Sequence, residues 1–429
     1  MHADSVDITN FRRFRAFHCS FDPRFTLLMG PNGSGKTSLL RAIHFALNSF
    51  SAAAEVHLGP EISDSDVHRI QSIDPADETW RTPVFPCRVK LWVELDSARQ
   101  LFGCERQAQS TERFFSDKDQ QKSFDSFQYI RTESPKWFDP ARQSAVPLIA
   151  RYSAANAVGA SQPGAVQKPF ETKQAVWQRF NVEVVDTTWL AQWFQYNELR
   201  TLQEQKVPLI YRLVKQAVLS AIHAQDIRYI VRDNKLMLLH ENQGWRPFDE
   251  LSDGQRRIAA IFCDLALRCA SLNSQLGEAC ITNTPGIVTI DELDLHLHPG
   301  WQRDVVADLL RVFPGLQFIA TSHSPFLLQA AFEMGRVVDM RSGEFSQATD
   351  TSIEDITEGV MGVHQPQRGQ QFLKLKAAAA RYLNLLESAP GSPDELAAIK
   401  LELDHAMAVF ANDPASAAWL MQRREAVGI

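Results

Sequence analysis

The 429-residue sequence lacks the features that mark membrane, exported and bulk nucleic-acid-binding proteins. No run of about 18 apolar residues occurs, and the N-terminus lacks the basic-then-apolar pattern of an export signal. Its six cysteines show no C-x-x-C spacing and predict reduced thiols. The formal net charge of −7, without a block of Lys and Arg, argues against strong non-specific DNA binding by the isolated chain. We therefore expect a cytoplasmic protein with no membrane partner.

The stretch with the most chemical content is GPNGSGKTS at Gly30–Ser38, which follows the pattern G-x-x-x-x-G-K-[ST]. Its glycines allow a tight turn that aims backbone N–H groups at phosphate oxygens, and Lys36 adds a cation. An apolar run at Phe25–Met29 predicts a strand before the loop, and residues 38–47 predict a helix after it. Thr37 is the expected Mg²⁺ ligand. The nucleotide contacts expected from this loop are Gly30, Asn32, Gly33, Ser34, Gly35, Lys36, Thr37 and Ser38.

Acidic and imidazole side chains follow two further predicted strands. The apolar run Ile287–Ile290 ends in Asp291 and Glu292, at the edge where parallel sheets keep their ligands. We expect Asp291 to hold Mg²⁺ and Glu292 to act as general base toward the attacking water. The run at Leu316–Ala320 leads to His323, whose neutral imidazole is expected to reach the γ-phosphate region.

A second helix start is predicted at LSDGQ, Leu251–Gln255. Ser252 and Gly254 would present a hydroxyl and free N–H groups at the start of a helix over 255–269. The phosphate loop already fills its own helix terminus, so the expected ligand of Ser252, Gly254 and Gln255 is the γ-phosphate held by another subunit. Taken alone, Ser252 or Asp253 also fits an ordinary N-cap.

These motifs, with DITNFRRFRAF at Asp7–Phe17, resemble ABC-type ATPases of the SMC, RecF and OLD group. Within that group they are most similar to compact soluble ATPases of bacterial anti-phage systems of the Septu and retron-associated type. The resemblance covers residues 1–50 and 225–345. It implies an α/β P-loop ABC-type head with a mixed sheet, ATP and Mg²⁺ as cofactors, and a head-to-tail dimer around two nucleotides. Lys36, Glu292 and His323 would be its catalytic residues.

Several positions keep alternatives open. Arg12 occupies the place where the family keeps a basic residue that reaches the nucleotide; Arg13 is the less favoured candidate, and both also fit solvated surface charges. His296 and His298 fit a metal site or, as we favour, a loop that senses the opposite subunit. The family usually has a glutamine after the first strand of the domain. The sequence context does not show which glutamine of this chain corresponds to it.

The motifs divide the chain into a head with a long insertion. A strand is predicted at 84–95, and a hairpin around Asp233 and Asn234. Residues 273–285 predict a polar loop. Between the predicted strand and the predicted hairpin, an aromatic and aliphatic stripe is expected to form the core of a helical lid: Trp177, Trp189, Trp193, Phe194, Leu199, Leu202, Leu209 and Leu213. The expected parts are a first part of the head, 1–100; an insertion, 101–224, with an irregular loop at 101–145, a head strand at 146–152 and the helical lid at 172–224; a second part of the head, 225–345; and a C-terminal helical region, 346–429.

The sequence shows no acidic cluster of the toprim type, no H-N-H constellation and no long heptad repeat. We therefore expect a regulatory ATPase of a defence complex that controls a separate effector, a nuclease, with DNA or RNA reached through the complex. The C-terminal helices fit docking of that effector and packing on the head equally well. The alternative is a RecF-like or SMC-like repair ATPase that clamps DNA. A transporter subunit is disfavoured by the NFRRF arm and the aromatic helical lid.

Overall fold

The computed structural model describes residues 1–55, 61–73, 79–108, 110–112, 115–139, 144–153, 173–178, 187–241, 244–346, 352–353 and 356–357. The chain divides into two compact units, Met1–Thr351 and Ser352–Ile429. The C-terminal helical region predicted at 346–429 lies outside the described residues, apart from residues 346, 352–353 and 356–357. Within the described part, no helix is long and apolar enough to cross a bilayer.

The first unit alternates strands and helices along the chain. Its strands are β1 His2–Phe11, β2 Phe14–Ser20, β3 Phe25–Met29, β4 Arg69–Ile73, β5 Thr79–Pro83, β6 Cys87–Leu95, β7 Ala98–Arg106, β8 Thr111–Glu112, β9 Leu148–Tyr152, β10 Asp226–Ile230, β11 Lys235–His240, β12 Gly244–Pro247, β13 Gly286–Ile290, β14 Leu316–Thr321 and β15 Arg336–Asp339. Its helices are α1 Lys36–Ala53, α2 Gln120–Trp137, α3 Lys173–Gln178, α4 Thr187–Glu204, α5 Leu209–Ile222, α6 Asp253–Leu272, α7 Pro299–Val312 and α8 Pro325–Met334.

A five-stranded parallel sheet, in the order β15-β3-β14-β13-β9, carries the predicted ligand-bearing strands. Every residue of β3, β13 and β14 is buried, which is typical of parallel strands covered on both faces. Because parallel strands end at one edge, the segments after these three strands meet there. The strands predicted at residues 25–29, 287–290, 316–320 and 146–152 are confirmed, as is the α/β fold class.

The antiparallel strands form a separate five-stranded sheet, in the order β2-β1-β6-β7-β8. In β6, buried and half-buried residues alternate over Cys87–Leu95, so the strand predicted at 84–95 is confirmed. Helix α1 contacts β6 and β7 of this sheet and β14 of the parallel sheet, and most of its residues are buried. The helix that follows the phosphate loop is therefore held between the two sheets.

The prediction of an irregular loop at 101–145 is wrong. Strand β7 continues to Arg106, across the predicted boundary at residue 100, and α2 occupies Gln120–Trp137. This helix is polar and buries only a narrow set of residues, among them Ile130 and Trp137, so its sequence carries a weak periodic signal. Ser126 Oγ accepts a hydrogen bond from the buried Leu101 N–H at 2.8 Å, which shows that tertiary contacts stabilise the helix against β7.

The predicted helical segment at 172–224 is confirmed as α3, α4 and α5 in its described parts. Trp177, Trp193 and Phe194 are buried, as the stripe predicts, but Leu199 and Leu202 are 38% and 66% exposed. Helix α5 packs against α6 and α7, and α4 contacts β10. The predicted hairpin is β10–β11, and β12 extends it to three antiparallel strands.

The segment predicted as a polar loop at 273–285 is more ordered than expected. It contains a short 3-10 helix at Ser274–Ala279, and the polar residues Asn273 and Thr284 are fully buried. Asn273 Nδ2 donates to Thr284 Oγ1 at 2.8 Å and to Val146 O at 3.0 Å. These buried hydrogen bonds join the segment to the residues that precede β9, which is why a polar sequence can pack inside the protein.

Candidate nucleotide site

The phosphate loop connects the end of β3 to the start of α1. Gly35 is the residue before the helix and has a φ of 98°, in the left-handed region. A Cβ at Gly35 would also lie 2.7 Å from Arg13 Cδ and 2.5 Å from Phe14 Cζ. Both the backbone and the close approach of the β1–β2 turn therefore require glycine at this position.

Lys36 lies in the loop with 7% of its surface exposed. Its Nζ donates to Gly30 O at 2.7 Å and to Pro31 O at 3.3 Å. Burial lowers the pKa of Lys36, against the opposing influence of the Asp291 and Glu292 carboxylates. Close by, Ser34 Oγ is buried without a hydrogen-bond partner. A phosphate oxygen is an acceptor that fits both groups, so the loop is suited to the anion its sequence predicts.

Asp291 brings together oxygens from three segments of the parallel sheet edge. Its Oδ1 accepts from Thr321 Oγ1 at 2.7 Å and from Thr37 Oγ1 at 3.3 Å. Mg²⁺ is commonly held by one or two protein oxygens, with water and phosphate oxygens as the other ligands. Thr37 and Asp291 have the chemistry and the proximity that such a site needs.

Glu292 follows in a left-handed backbone conformation, with φ at 50°. A non-glycine residue in this region costs energy and is held by its surroundings. Its N–H donates to Thr321 Oγ1 at 2.7 Å, and its carbonyl accepts from Arg257 Nη1 at 2.7 Å. Arg257 Nη2 also donates to Asp291 O at 2.8 Å. Thr321 and Arg257 are not among the predicted site residues. Arg257 lies two positions after the LSDGQ stretch, and Thr321 directly follows the predicted strand at Leu316–Ala320.

These groups line one pocket of about 300 Å³. Its lining residues are Arg13, Asn32, Gly33, Ser34, Gly35, Lys36, Thr37, Ser38, Asp291, Glu292, Thr321 and His323. The structure thus brings together the predicted phosphate loop, the acidic pair and His323, which is exposed and donates through its N–H to Asp294 Oδ2 at 3.4 Å. Gly30 does not line the pocket, but its carbonyl accepts a hydrogen bond from Lys36 Nζ.

Of the two adjacent arginines, Arg13 and not Arg12 lines the pocket. Arg12 Nε donates to Asp66 Oδ1 at 2.9 Å, so its guanidinium is engaged by a buried carboxylate. This placement reverses the order of preference in the sequence-based prediction. A turn between two strands sends successive side chains in different directions, and the pattern N-F-R-R does not specify which one faces the loop.

The LSDGQ stretch, called the signature below, contains the predicted residues Ser252, Gly254 and Gln255. These residues lie outside this pocket, at the start of α6. Ser252 is the exposed N-cap: its Oγ accepts from Gln255 N at 3.3 Å, and Gln255 Oε1 accepts from Ser252 N at 3.1 Å. The ordinary N-cap interpretation is therefore correct for the isolated chain, as a capping box. Gly254 is buried, and a Cβ there would lie 2.3 Å from His296 O.

The two histidines after the acidic pair, His296 and His298, lie just before α7. His298 is the N-cap of α7, with Nδ1 accepting from Gly300 N at 3.3 Å. Among the described residues, no group of three or more His, Cys, Asp and Glu side chains could hold a metal ion.

Together, a strand–loop–helix phosphate site and an acidic pair at the end of a neighbouring parallel strand define a P-loop ATPase domain. The chain belongs to the family described as "AAA domain, putative AbiEii toxin, Type IV TA system", which matches residues 113–329, about half of the chain. A second family, described as "AAA domain", matches residues 5–157 and includes the phosphate loop.

Curated relatives include a retron protein and a Septu protein. "Retron Vc95 probable ATPase" of Vibrio cholerae serotype O1 biovar El Tor is 46% identical over 78 residues, 18% of this chain and 15% of the relative. "Septu protein PtuA" of Bacillus thuringiensis is 31% identical over 137 residues, 32% of this chain and 33% of the relative. The chain therefore matches a third or less of the length of these relatives. The resemblance to ATPases of anti-phage systems is confirmed.

Among solved structures, the "SMC head domain from Thermotoga maritima" aligns with 82% of this chain and 100% of its own, with 13% identity and a TM-score of 0.43.

Proposed function

We propose that this chain binds ATP with Mg²⁺ and hydrolyses it to ADP and phosphate as one half of a head-to-tail dimer. The observation that carries the proposal is the convergence of Lys36, Thr37, Asp291 and Glu292 on one pocket. These side chains come from two distant parts of the chain, and each has a distinct task in phosphoryl transfer to water.

In the proposed reaction, Lys36 exchanges the Gly30 and Pro31 carbonyls for the β- and γ-phosphate oxygens. Thr37 and Asp291 would hold Mg²⁺, which when bound would neutralise charge on those oxygens. The Glu292 carboxylate accepts a proton from the attacking water, and His323 donates a hydrogen bond toward the γ-phosphate. Thr321 and Arg257 hold the backbone of Glu292 in the conformation that this task requires.

The proposal of a shared site rests on the position of Ser252. The N-terminus of α6 is exposed and outside the phosphate pocket of the same chain, while Gly254 packs on the segment that follows Glu292. A helix N-terminus favours an anionic ligand. We therefore assign Ser252, Gly254 and Gln255 to the γ-phosphate held by a second copy.

The biological setting is proposed from the relatives, whose names place them in retron and Septu systems. We propose that the ATP-bound dimer controls a separate effector, a nuclease, in anti-phage defence. Co-purification of the tagged chain with products of neighbouring genes, followed by a nuclease assay with and without ATP, tests this step. An effector whose activity is indifferent to the chain and to ATP would contradict it.

The central test is the isosteric change Glu292→Gln. We expect kcat to fall by at least about 100-fold because the general base is lost, while MgATP binding persists. We also expect the ATP-bound dimer to accumulate, which light scattering after size-exclusion chromatography would detect. The matched control is Glu344→Gln, an exposed glutamate outside the pocket. Normal turnover in Glu292→Gln would remove this residue from the role of base.

DNA clamping is the competing function, and salt dependence separates it from effector control. A clamp should bind duplex DNA tightly in the presence of ATP without any partner, and its affinity should fall steeply with salt as counterions are released. Weak, salt-insensitive DNA binding by the ATP-bound Glu292→Gln dimer would favour effector control.

A further inference from the structure

The turn between β1 and β2 is held by a short segment that follows α1. Arg12 has a φ of 48°, and both of its backbone polar groups are engaged. Its N–H donates to Asp66 O at 2.7 Å, and its carbonyl accepts from His68 Nδ1 at 2.6 Å. Two residues earlier, Asn10 O accepts from His68 N at 2.8 Å. The left-handed turn is thus fixed from outside the strands that it joins.

The side chain of Asp66 connects this turn to the helix of the phosphate loop. Its carboxylate is fully buried and accepts from Arg12 Nε at 2.9 Å and from Arg41 Nη2, on α1, at 3.2 Å. Ser63 Oγ donates to it at 2.7 Å. Burial by itself would raise the pKa of Asp66, but the hydrogen bonds from Ser63 and Arg12 outweigh burial and lower it. The carboxylate is therefore ionised at neutral pH and pairs with two guanidinium groups.

The consequence of this arrangement falls on Arg13, the next residue. Arg13 lines the phosphate pocket, and its Cδ lies where a Cβ at Gly35 would approach it to 2.7 Å. Its aliphatic part therefore lies against the phosphate loop. Arg12 faces away from the pocket toward Asp66. Arg12 is therefore the anchor of the turn, and Arg13 is the group that faces the pocket.

We infer that Asp66 is a positioning residue for the nucleotide site: by anchoring Arg12 and tying it to Arg41, it holds the Arg13 guanidinium over the phosphate loop. This inference rests on the proposed function, since Arg13 is assigned to the phosphates of ATP. Asp66 contributes through the conformation of the turn and does not line the pocket. Because the backbone of the turn is already fixed, it need not be ordered at the moment of binding, which reduces the entropic cost of the contact.

The test is a double-mutant cycle between Asp66 and Arg13. MgATP affinity would be measured by calorimetry in the Glu292→Gln background, where turnover is blocked. We expect Arg13→Ala to weaken binding by about tenfold or more, as for loss of a hydrogen bond to a charged group. Asp66→Asn should weaken MgATP binding roughly several-fold, and this loss should be absent in the Arg13→Ala background. In chains with native Glu292, Asp66→Asn should raise KM for ATP and leave kcat unchanged.

Glu105→Gln provides a matched control for loss of a buried carboxylate. Glu105 is fully buried and pairs with Arg88 in the antiparallel sheet, away from the pocket lining. It should lower stability without changing MgATP affinity. If Asp66→Asn does not fold, Arg12→Ala removes the same anchor and should show the same dependence on Arg13.

Two results would overturn the inference. One is a folded Asp66→Asn protein with unchanged MgATP affinity. The other is a loss of MgATP affinity on Asp66→Asn that is equal in the native and the Arg13→Ala backgrounds. That result would show that Asp66 acts only on general stability. A wild-type chain that binds no MgATP would contradict the proposed function as well, so the two failures are distinguishable.

Discussion

Thr321 joins the two acidic residues of the site through one hydroxyl group. Its Oγ1 donates to Asp291 Oδ1 and accepts from the Glu292 N–H, both at 2.7 Å. The side chain is almost fully buried, so neither partner can readily replace the bond with water. Through this one hydroxyl, Thr321 can set the geometry of both the proposed metal ligand and the proposed general base.

Replacing Thr321 by Val should separate this role from simple packing. Valine keeps the shape but leaves the Glu292 N–H without an acceptor, so we expect the free energy of unfolding to fall by about 1–3 kcal/mol. The ATPase kcat should fall as well. Thr321→Ser keeps the hydroxyl and should retain most of both quantities. Equal loss in the Val and Ser variants, measured by denaturant unfolding and phosphate release, would show that the methyl group matters and the hydroxyl does not.

At the scale of elements, α6 is bound near its start and at its middle to the parallel sheet. Near its start, Arg257 donates to the carbonyls of Asp291 and Glu292. Further along, Asp264 Oδ2 accepts from Tyr152 Oη, on β9, at 2.7 Å and from Arg268 Nε at 2.6 Å. The signature helix and the acidic strand end are therefore parts of one hydrogen-bonded body.

The antiparallel sheet also contains an ionised group that makes stability depend on pH. Burial alone would raise the pKa of Glu105, but hydrogen bonds from Arg88 at 2.5 Å and Ser116 at 2.6 Å outweigh it and lower the pKa. Because the folded-state pKa is the lower one, the stabilisation is complete above the unfolded pKa of about 4.3. It is lost as the pH falls through the folded-state pKa.

We therefore expect Glu105→Gln to lower the free energy of unfolding at pH 7 by roughly 1–3 kcal/mol and to flatten its decline below about pH 4.3. Denaturant unfolding across pH would measure both effects. Glu204→Gln alters an exposed i,i+4 pair with Arg200 and should leave stability nearly unchanged at any pH. An identical acid profile for wild type and Glu105→Gln would show that other carboxylates govern the acid limb.

At the scale of the whole molecule, the proposed site is incomplete in one chain. The pocket has Lys36 and Glu292, while Ser252 stands at a helix start outside it. In a symmetric dimer, each nucleotide would meet the phosphate loop of one subunit and the signature of the other. Activity should then depend on which subunit carries a defect.

Mixing two inactive variants tests this arrangement. Lys36→Ala and Ser252→Arg should each be inactive, but their heterodimer has one site with native Lys36 and native Ser252. Random pairing should restore about a quarter of the wild-type ATPase rate, since half of the dimers contain one intact site. Mixing Lys36→Ala with the Lys36→Ala/Ser252→Arg double variant is the negative control. No recovery in mixtures whose heterodimers are verified by differently tagged subunits would contradict the shared site.

The sequence by itself determined the groups that we propose to do the chemistry. The phosphate loop, the acidic pair after β13 and the start of α6 depend on local spacing, because glycine dihedrals, strand ends and helix caps are set by residues a few positions apart. Fold class followed from the same local signals.

Tertiary structure alone decided which further residues serve those groups. Arg13 rather than Arg12 lines the pocket, Thr321 bridges Asp291 and Glu292, and Arg257 holds the strand end. Asp66 lies 54 positions from Arg12, and Thr37 lies 254 from Asp291. Contacts at such separations arise from the packing of whole elements, so no local pattern encodes them. For the same reason the polar helix α2, stabilised by the sheet beneath it, was missed.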